Sequence, residues 1–172
     1  MVTVPSRRTA LRAGFLAALV VVAGLAGAAG SRALAGTCKA GVRKLNGVSA
    51  QTFCGPATAT VHVAGRTFRF TQGNCVKTAD YVSVNIGTVM LGQSARRQPN
   101  YFGLDIGRIP GSGSPPARKD GRYRSGTVLT MEYADKTYDV LSGVAMLQGN
   151  RTHGTINGKT FSGQALSGTF HC

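Results

Sequence analysis

Between Phe53 and Ile86 the chain carries its cleanest alternation of apolar and polar residues, and this stretch limits the fold more than any other. Ala57, Ala59, Val61 and Val63 share one parity, while Thr58, Thr60 and His62 take the other. Successive side chains of an extended strand point to opposite faces, so this segment reads as a strand with one buried and one wet side. Phe68 and Phe70 then alternate with Arg69 and Thr71, and Val82, Val84 and Ile86 with Tyr81, Ser83 and Asn85. Ala64-Gly65 marks a tight hairpin turn between the first two strands. Ala64 is a poor occupant of a type I′ turn, which needs positive φ at both central residues. The expectation is therefore a type I turn with Gly65 left-handed in a G1 bulge.

The pattern continues to the last residue. Phe102, Leu104 and Ile106 alternate with Gly103 and Asp105. Tyr123, Thr127, Leu129, Met131 and Tyr133 share a face, opposed by Arg122, Arg124, Thr130 and Glu132. Ala134-Asp135-Lys136 and Gly149-Asn150 read as turns. Tyr138, Val140, Val144 and Met146 keep one parity. Asn157-Gly158-Lys159 repeats the design of Ala64-Gly65-Arg66 and predicts a second hairpin turn, and a final strand runs from about Ser167 to His171. Ser-Gly recurs at 125, 142, 162 and 167, as strand bends or bulges. Pro110-Gly111-Ser112-Gly113-Ser114-Pro115-Pro116 has no apolar face and reads as a flexible surface loop. Residues 36–52 are polar, basic and aperiodic, an N-terminal arm with room for one short strand. The 24 glycines suit many turns. These features predict an all-β domain over 53–172, an antiparallel sandwich or partly open barrel of seven to nine strands.

Residues 1–35 have the layout of a secretory signal peptide. Arg7, Arg8 and Arg12 precede an uncharged run from Ala13 to Ser31, and Ala33-Leu34-Ala35 forms an A-x-A site before Gly36. Ser6-Arg7-Arg8 with Leu11 also resembles a twin-arginine signal, with Ala10 in the first hydrophobic position. The expected product is exported, to the envelope or the medium, by either route. Membrane contact is expected only during export or through a lipid anchor at Cys38, since Leu34-Ala35-Gly36 begins a lipobox that Thr37 then interrupts.

Four cysteines, Cys38, Cys54, Cys75 and Cys172, lie beyond that signal. An even number in an exported chain implies two disulfides, and three connectivities are open. The preferred pairing is Cys75 with Cys172, closing nearly the whole domain, and Cys38 with Cys54, pinning the arm. Without a Cys-x-x-Cys pair, neither a redox site nor structural zinc has support.

Charge is the remaining signal. Beyond residue 35, sixteen of the 20 basic residues face all 6 acidic ones, which favours an anionic partner. Arg96, Arg97, Arg108, Arg118, Lys119, Arg122 and Arg124 cluster around the Pro/Gly/Ser loop. Together with Tyr101 and Tyr123 they are the candidate site for an anionic envelope polymer or lipid headgroups; nucleic acid is a poor candidate for an exported chain. His62, His153 and His171 show no metal-ligand spacing, and His62 is expected to be solvated or cross-strand paired. Glu132 and Asp139 would face each other across a hairpin, the one conceivable glycosidase pair. Asn150-Arg151-Thr152 is a sequon, without weight behind a bacterial-style signal. No Gly-x-Ser-x-Gly elbow, phosphate loop or zinc-protease motif occurs, and nothing calls for a cofactor.

Gly73-Asn74-Cys75 through Tyr81-Val82-Ser83-Val84-Asn85-Ile86-Gly87, then Phe102-Gly103-Leu104-Asp105-Ile106, Lys119-Asp120-Gly121-Arg122-Tyr123 and a terminal strand ending in Cys172, resemble in order the actinobacterial LpqH-type surface lipoprotein antigens. The resemblance spans about residues 67–172. It implies an exported envelope or secreted β-domain with a Cys75–Cys172 disulfide, and no catalytic residues. Cys38, Cys54 and the interrupted lipobox depart from that family. The expectation is a non-enzymatic exported binding protein; a secreted protease inhibitor presenting the Gly107–Gly121 loop, or a small secreted hydrolase, are the alternatives.

Overall fold

The computed structural model describes residues 38–92, 99–108 and 113–172. Among them there is no helix. Twelve strands appear in chain order: β1 (Gly41–Leu45), β2 (Val48–Phe53), β3 (Ala57–Val63), β4 (Arg66–Lys77), β5 (Tyr81–Met90), β6 (Tyr101–Gly107), β7 (Gly121–Tyr123), β8 (Thr127–Tyr133), β9 (Lys136–Val140), β10 (Val144–Gln148), β11 (His153–Lys159) and β12 (Ala165–His171). Every pairing is antiparallel, in the order β7-β10-β11-β12-β3-β4-β5-β6-β8-β9, with β1 and β2 attached beside β5. The sheet curls into a half-barrel, the partly open form expected, but with twelve strands rather than seven to nine.

The curl is made by β4. Its first part pairs with β3 as far as Gly73, and Asn74 to Lys77 pair with β5. A Cβ on Gly73 would collide with the Ile86 side chain and the Asn85 carbonyl, so only glycine lets the strand change partners here. The two halves of the sheet then close on one core. Phe70 meets Phe102 at 5.6 Å between ring centroids, and Phe68 meets Tyr133 at 4.9 Å. Val61, Val82, Val84, Leu104, Leu147 and Phe170 fill the space between.

Local details depart from the sequence reading for physical reasons. Val63 pairs directly with Arg66, leaving a two-residue loop in which Ala64 (φ 51°) and Gly65 (φ 70°) are both left-handed. This is a type I′ turn, not a G1 bulge: the twist of the flanking strands outweighs the cost of about 1 kcal/mol at Ala64. Asn46-Gly47 and Ala134-Asp135 make the same turn. Asn157-Gly158 is not a turn; it lies inside β11, and the reversal falls at Thr160–Gln164. Gly158 is there because a Cβ would strike Val140. Tyr123 does not share a strand with Thr127. The chain turns at Gly126 (φ 70°), so β7 pairs with β10 while β8 pairs with β6 and β9.

Residues 41–53, all but Phe53 within the expected arm, form a hairpin, β1 and β2, with β2 on the C-terminal end of β5 and Ala50 fully buried. All four cysteines are bonded, Cys38 to Cys54 and Cys75 to Cys172, with Cα–Cα distances of 5.8 and 5.4 Å. The second half of the loop before β7 is not a loose surface segment either. Ala117 is buried, and its N–H and that of Arg108 both donate to the Asp80 carbonyl, at 2.7 and 3.0 Å. Residues 1–35, including the signal-like segment, lie outside the described residues.

Candidate functional site

The outer sides of the half-barrel differ in charge. Asp105 on β6, Glu132 on β8 and Asp139 on β9 point outward from the half of the sheet centred on β6. Asp80, Asp120 and Asp135 sit in turns. That accounts for all 6 acidic residues. None lies on the outward positions of β10, β11, β12, β3 and the first half of β4, although Asp120 stands near His153 at the edge of that face. This acid-free face instead carries all 3 histidines, together with Arg69, Arg122 at its β7 edge and Lys159, by the alternation that buries Val61, Phe68, Ile156 and Phe170 on the other side.

Register orders these residues into rows. Arg69 pairs with Thr60, Thr60 with Thr169, Thr169 with Thr155, Thr155 with Met146, and Met146 with Arg122. Beside it runs Thr67, His62, Ser167, Asn157 and Val144. A third row holds Thr58, His171, His153 and Gln148. His62 Nδ1 lies 2.8 Å from Thr67 Oγ1, the cross-strand role expected of it, and the His153 and His171 rings stack at 5.4 Å.

Arg96 and Arg97 lie outside the described residues. The remaining sequence-predicted cluster divides. Arg118 makes a 3.6 Å ion pair with Asp80, near where Arg108 is tied by its backbone, and Lys119 follows it. Arg122 and Arg124 belong to the β7 edge of the acid-free face. The two tyrosines do not meet. Tyr101 is on β6, donating to Asn85 Oδ1 at 2.7 Å, whereas Tyr123 packs on the core from β7 and donates to the Lys119 carbonyl at 2.6 Å. The rows were missed because no sequence signal places β7, β10, β11, β12, β3 and β4 side by side.

Glu132 and Asp139 share an outer face but are not directly opposed: Glu132 pairs with Thr137, and Asp139 with Thr130. Glu132 Oε2 and Asp139 Oδ1 are buried without a hydrogen-bond partner. Burial, and then the Asp139 charge, push the Glu132 carboxyl above its ordinary range. Burial, then Asp105 and Glu132, push the Tyr101 hydroxyl up to about 12. No histidine stands with these acids; all three lie on the acid-free face. Because folded Glu132 holds its proton more tightly than the unfolded chain does, its charge costs stability once pH rises past the ordinary glutamate range. Glu132→Gln is expected to raise neutral-pH stability slightly, by less than about 1 kcal/mol because the group is only partly shielded. The gain vanishes at acid pH, where both states are protonated. Urea denaturation at both pH values checks this, and a loss of stability at neutral pH would contradict it.

Asp120 behaves in the opposite sense. Its carboxylate accepts the N–H of Asn150 at 2.9 Å and of Arg151 at 2.7 Å, and these bonds hold it below its usual range. It braces the β10–β11 turn, a bond lost as acid protonates it.

No family model matches the chain, and no curated protein does. Among solved structures it is similar to a redesigned β barrel, at 16% identity over 68% of this chain and 90% of that one, with a TM-score of 0.37.

Proposed function

We propose that the chain is exported and acts at the cell envelope or outside the cell as a non-enzymatic module that binds an anionic partner by charge. The observation that carries this reading is the segregation of charge: the strands of one broad outer face present arginine, lysine and histidine and no carboxylate of their own, with Asp120 alone reaching its His153 edge from the turn before β7. A net positive charge alone would be met by scattered lysines. Keeping acids off these strands creates a local positive field. The two disulfides suit an oxidising compartment, and residues 1–35 and the likeness to LpqH-type surface antigens agree with export.

Binding of the folded domain to immobilised dextran sulfate tests this. At about 0.05 M salt the domain is expected to bind, and affinity is expected to fall by about tenfold or more as salt rises through the physiological range, because screening shortens to about 8 Å. Absence of binding at low salt, or binding indifferent to salt, would overturn the proposal.

A further inference from the structure

The row Arg69, Thr60, Thr169, Thr155, Met146 and Arg122 crosses six neighbouring strands. With strands about 4.8 Å apart, its two arginines stand about 24 Å from each other. Two open hollows lie along the same face. One, of about 520 Å³, is lined by His62, Thr67, Ser167 and Asn157 among others. The second, of about 250 Å³, is lined by Arg122, Met146, Thr155, Val144 and Asn157. They share Asn157 and so adjoin one another across the strands; Arg66 lines the first, while Arg69, Thr60 and Thr169 line neither and run beside them.

We infer that this face takes a linear, polyhydroxylated polyanion, a chain of sugar or polyol units with acidic groups at intervals, laid across the strands along the row from Arg69 to Arg122 and beside the two hollows. The inference rests on the charge-binding reading above and narrows its ligand. A single headgroup or a free phosphate can reach one end only; a polymer reaches both. Between the arginines the face offers hydroxyls and an amide. Thr60, Thr155, Thr169, Ser167 and Asn157 make no side-chain hydrogen bond within the chain among the described residues, so their donors and acceptors are available to ligand hydroxyls. Arg69 and Arg122 make no ion pair among the described residues, in contrast to Arg118, and Arg66 lies over the Phe68 ring at 5.2 Å.

Two other polyanionic surfaces fit less well. A membrane-binding face needs protruding apolar side chains, and the exposed ones (Val42, Val76, Leu91, Leu141 and Phe161) all lie off this face. A nucleic-acid strand needs aromatic platforms for its bases, and no Phe or Tyr points outward here.

The test uses the disulfide-bonded protein and four probes: acidic oligosaccharides of increasing length, inorganic phosphate, neutral dextran, and phosphatidylglycerol vesicles. Affinity for the acidic oligomers is expected to climb with length until they span the row and then level off, with phosphate and dextran far weaker. Arg69→Gln with Arg122→Gln is expected to weaken the long oligomer by about tenfold or more. Arg118→Gln with Lys119→Gln should leave it unchanged. Thr169→Glu, an exposed change on a central strand, should abolish binding while thermal unfolding stays as in the parent. Tight binding to vesicles but not oligomers, or sensitivity to Arg118 and Lys119 rather than Arg69 and Arg122, would overturn this inference and leave the charge reading standing. Failure to bind any anionic probe would sink both.

Discussion

Replacing Cys75 and Cys172 by serine is expected to cost about 4–5 kcal/mol, the larger loss of the two disulfide removals. The bond joins residues 97 apart, and the loop-entropy model assigns that stabilisation to a ring of such length. A domain of this size has only about 5–15 kcal/mol in total, so the midpoint of thermal unfolding should fall by roughly 10–20 °C. The position of the bond explains why the loss is global. Cys75 stands on β4 just past the change of partners at Gly73, and Cys172 follows β12, on the other side of β3. The bridge therefore holds the two halves of the sheet at their bend. The Cys38–Cys54 ring spans 16 residues and ties only the β1–β2 hairpin. Its removal should leave the main unfolding transition within about 3 kcal/mol of the parent and speed amide exchange in β1 and β2. Urea and thermal denaturation of the two double variants decides the matter; a Cys38/Cys54 loss equal to or greater than the Cys75/Cys172 loss would refute this account.

The strands with one buried face were legible because burial imposes a period of two: Val61 to Val63, Val82 to Ile86 and Phe102 to Ile106 point into the core as their spacing requires. The β1–β2 hairpin was not, because Ala50 and Thr52 are its only buried residues and give too little period to see. Asn46-Gly47 was its one local signal, the favoured I′ pair. Parity counted through Ser125-Gly126 put Tyr123 on the core side, where it packs, but on the wrong strand, because the left-handed Gly126 turns the chain between β7 and β8. The candidate site was hidden for a deeper reason. Its rows draw on six strands whose spatial order is not their order in the chain, so residues as far apart as Arg69 and Arg122 share a line. Sequence proximity grouped Arg118 and Lys119 with Arg122 and Arg124; topology separates them.

Arg151→Gly is expected to destabilise the domain by roughly 2–4 kcal/mol, although the backbone argues the other way. Arg151 has φ 60°, a left-handed conformation that costs a side-chain-bearing residue about 1 kcal/mol and glycine almost nothing. A glycine there would stabilise the turn if the side chain did nothing else. The guanidinium, however, reaches out of the β10–β11 turn, and its Nη1 donates to the Thr78 carbonyl at 2.7 Å and the Ala117 carbonyl at 2.8 Å. It thereby joins three segments at one end of the half-barrel: the turn before β5, the loop before β7 and its own hairpin, which also accepts the Cys172 N–H at Thr152. Removing it leaves two partly buried carbonyls without donors, at about 1–3 kcal/mol each. Arg151→Lys should recover only part of the loss, because one ammonium on a flexible stem lacks the fixed fork. Faster amide exchange at Ala117 and Arg108 should accompany the change, since their shared acceptor, the Asp80 carbonyl, lies two residues from Thr78. Equal or greater stability of Arg151→Gly would show that the guanidinium holds nothing together, and that the left-handed turn alone sets the energy of this end of the fold.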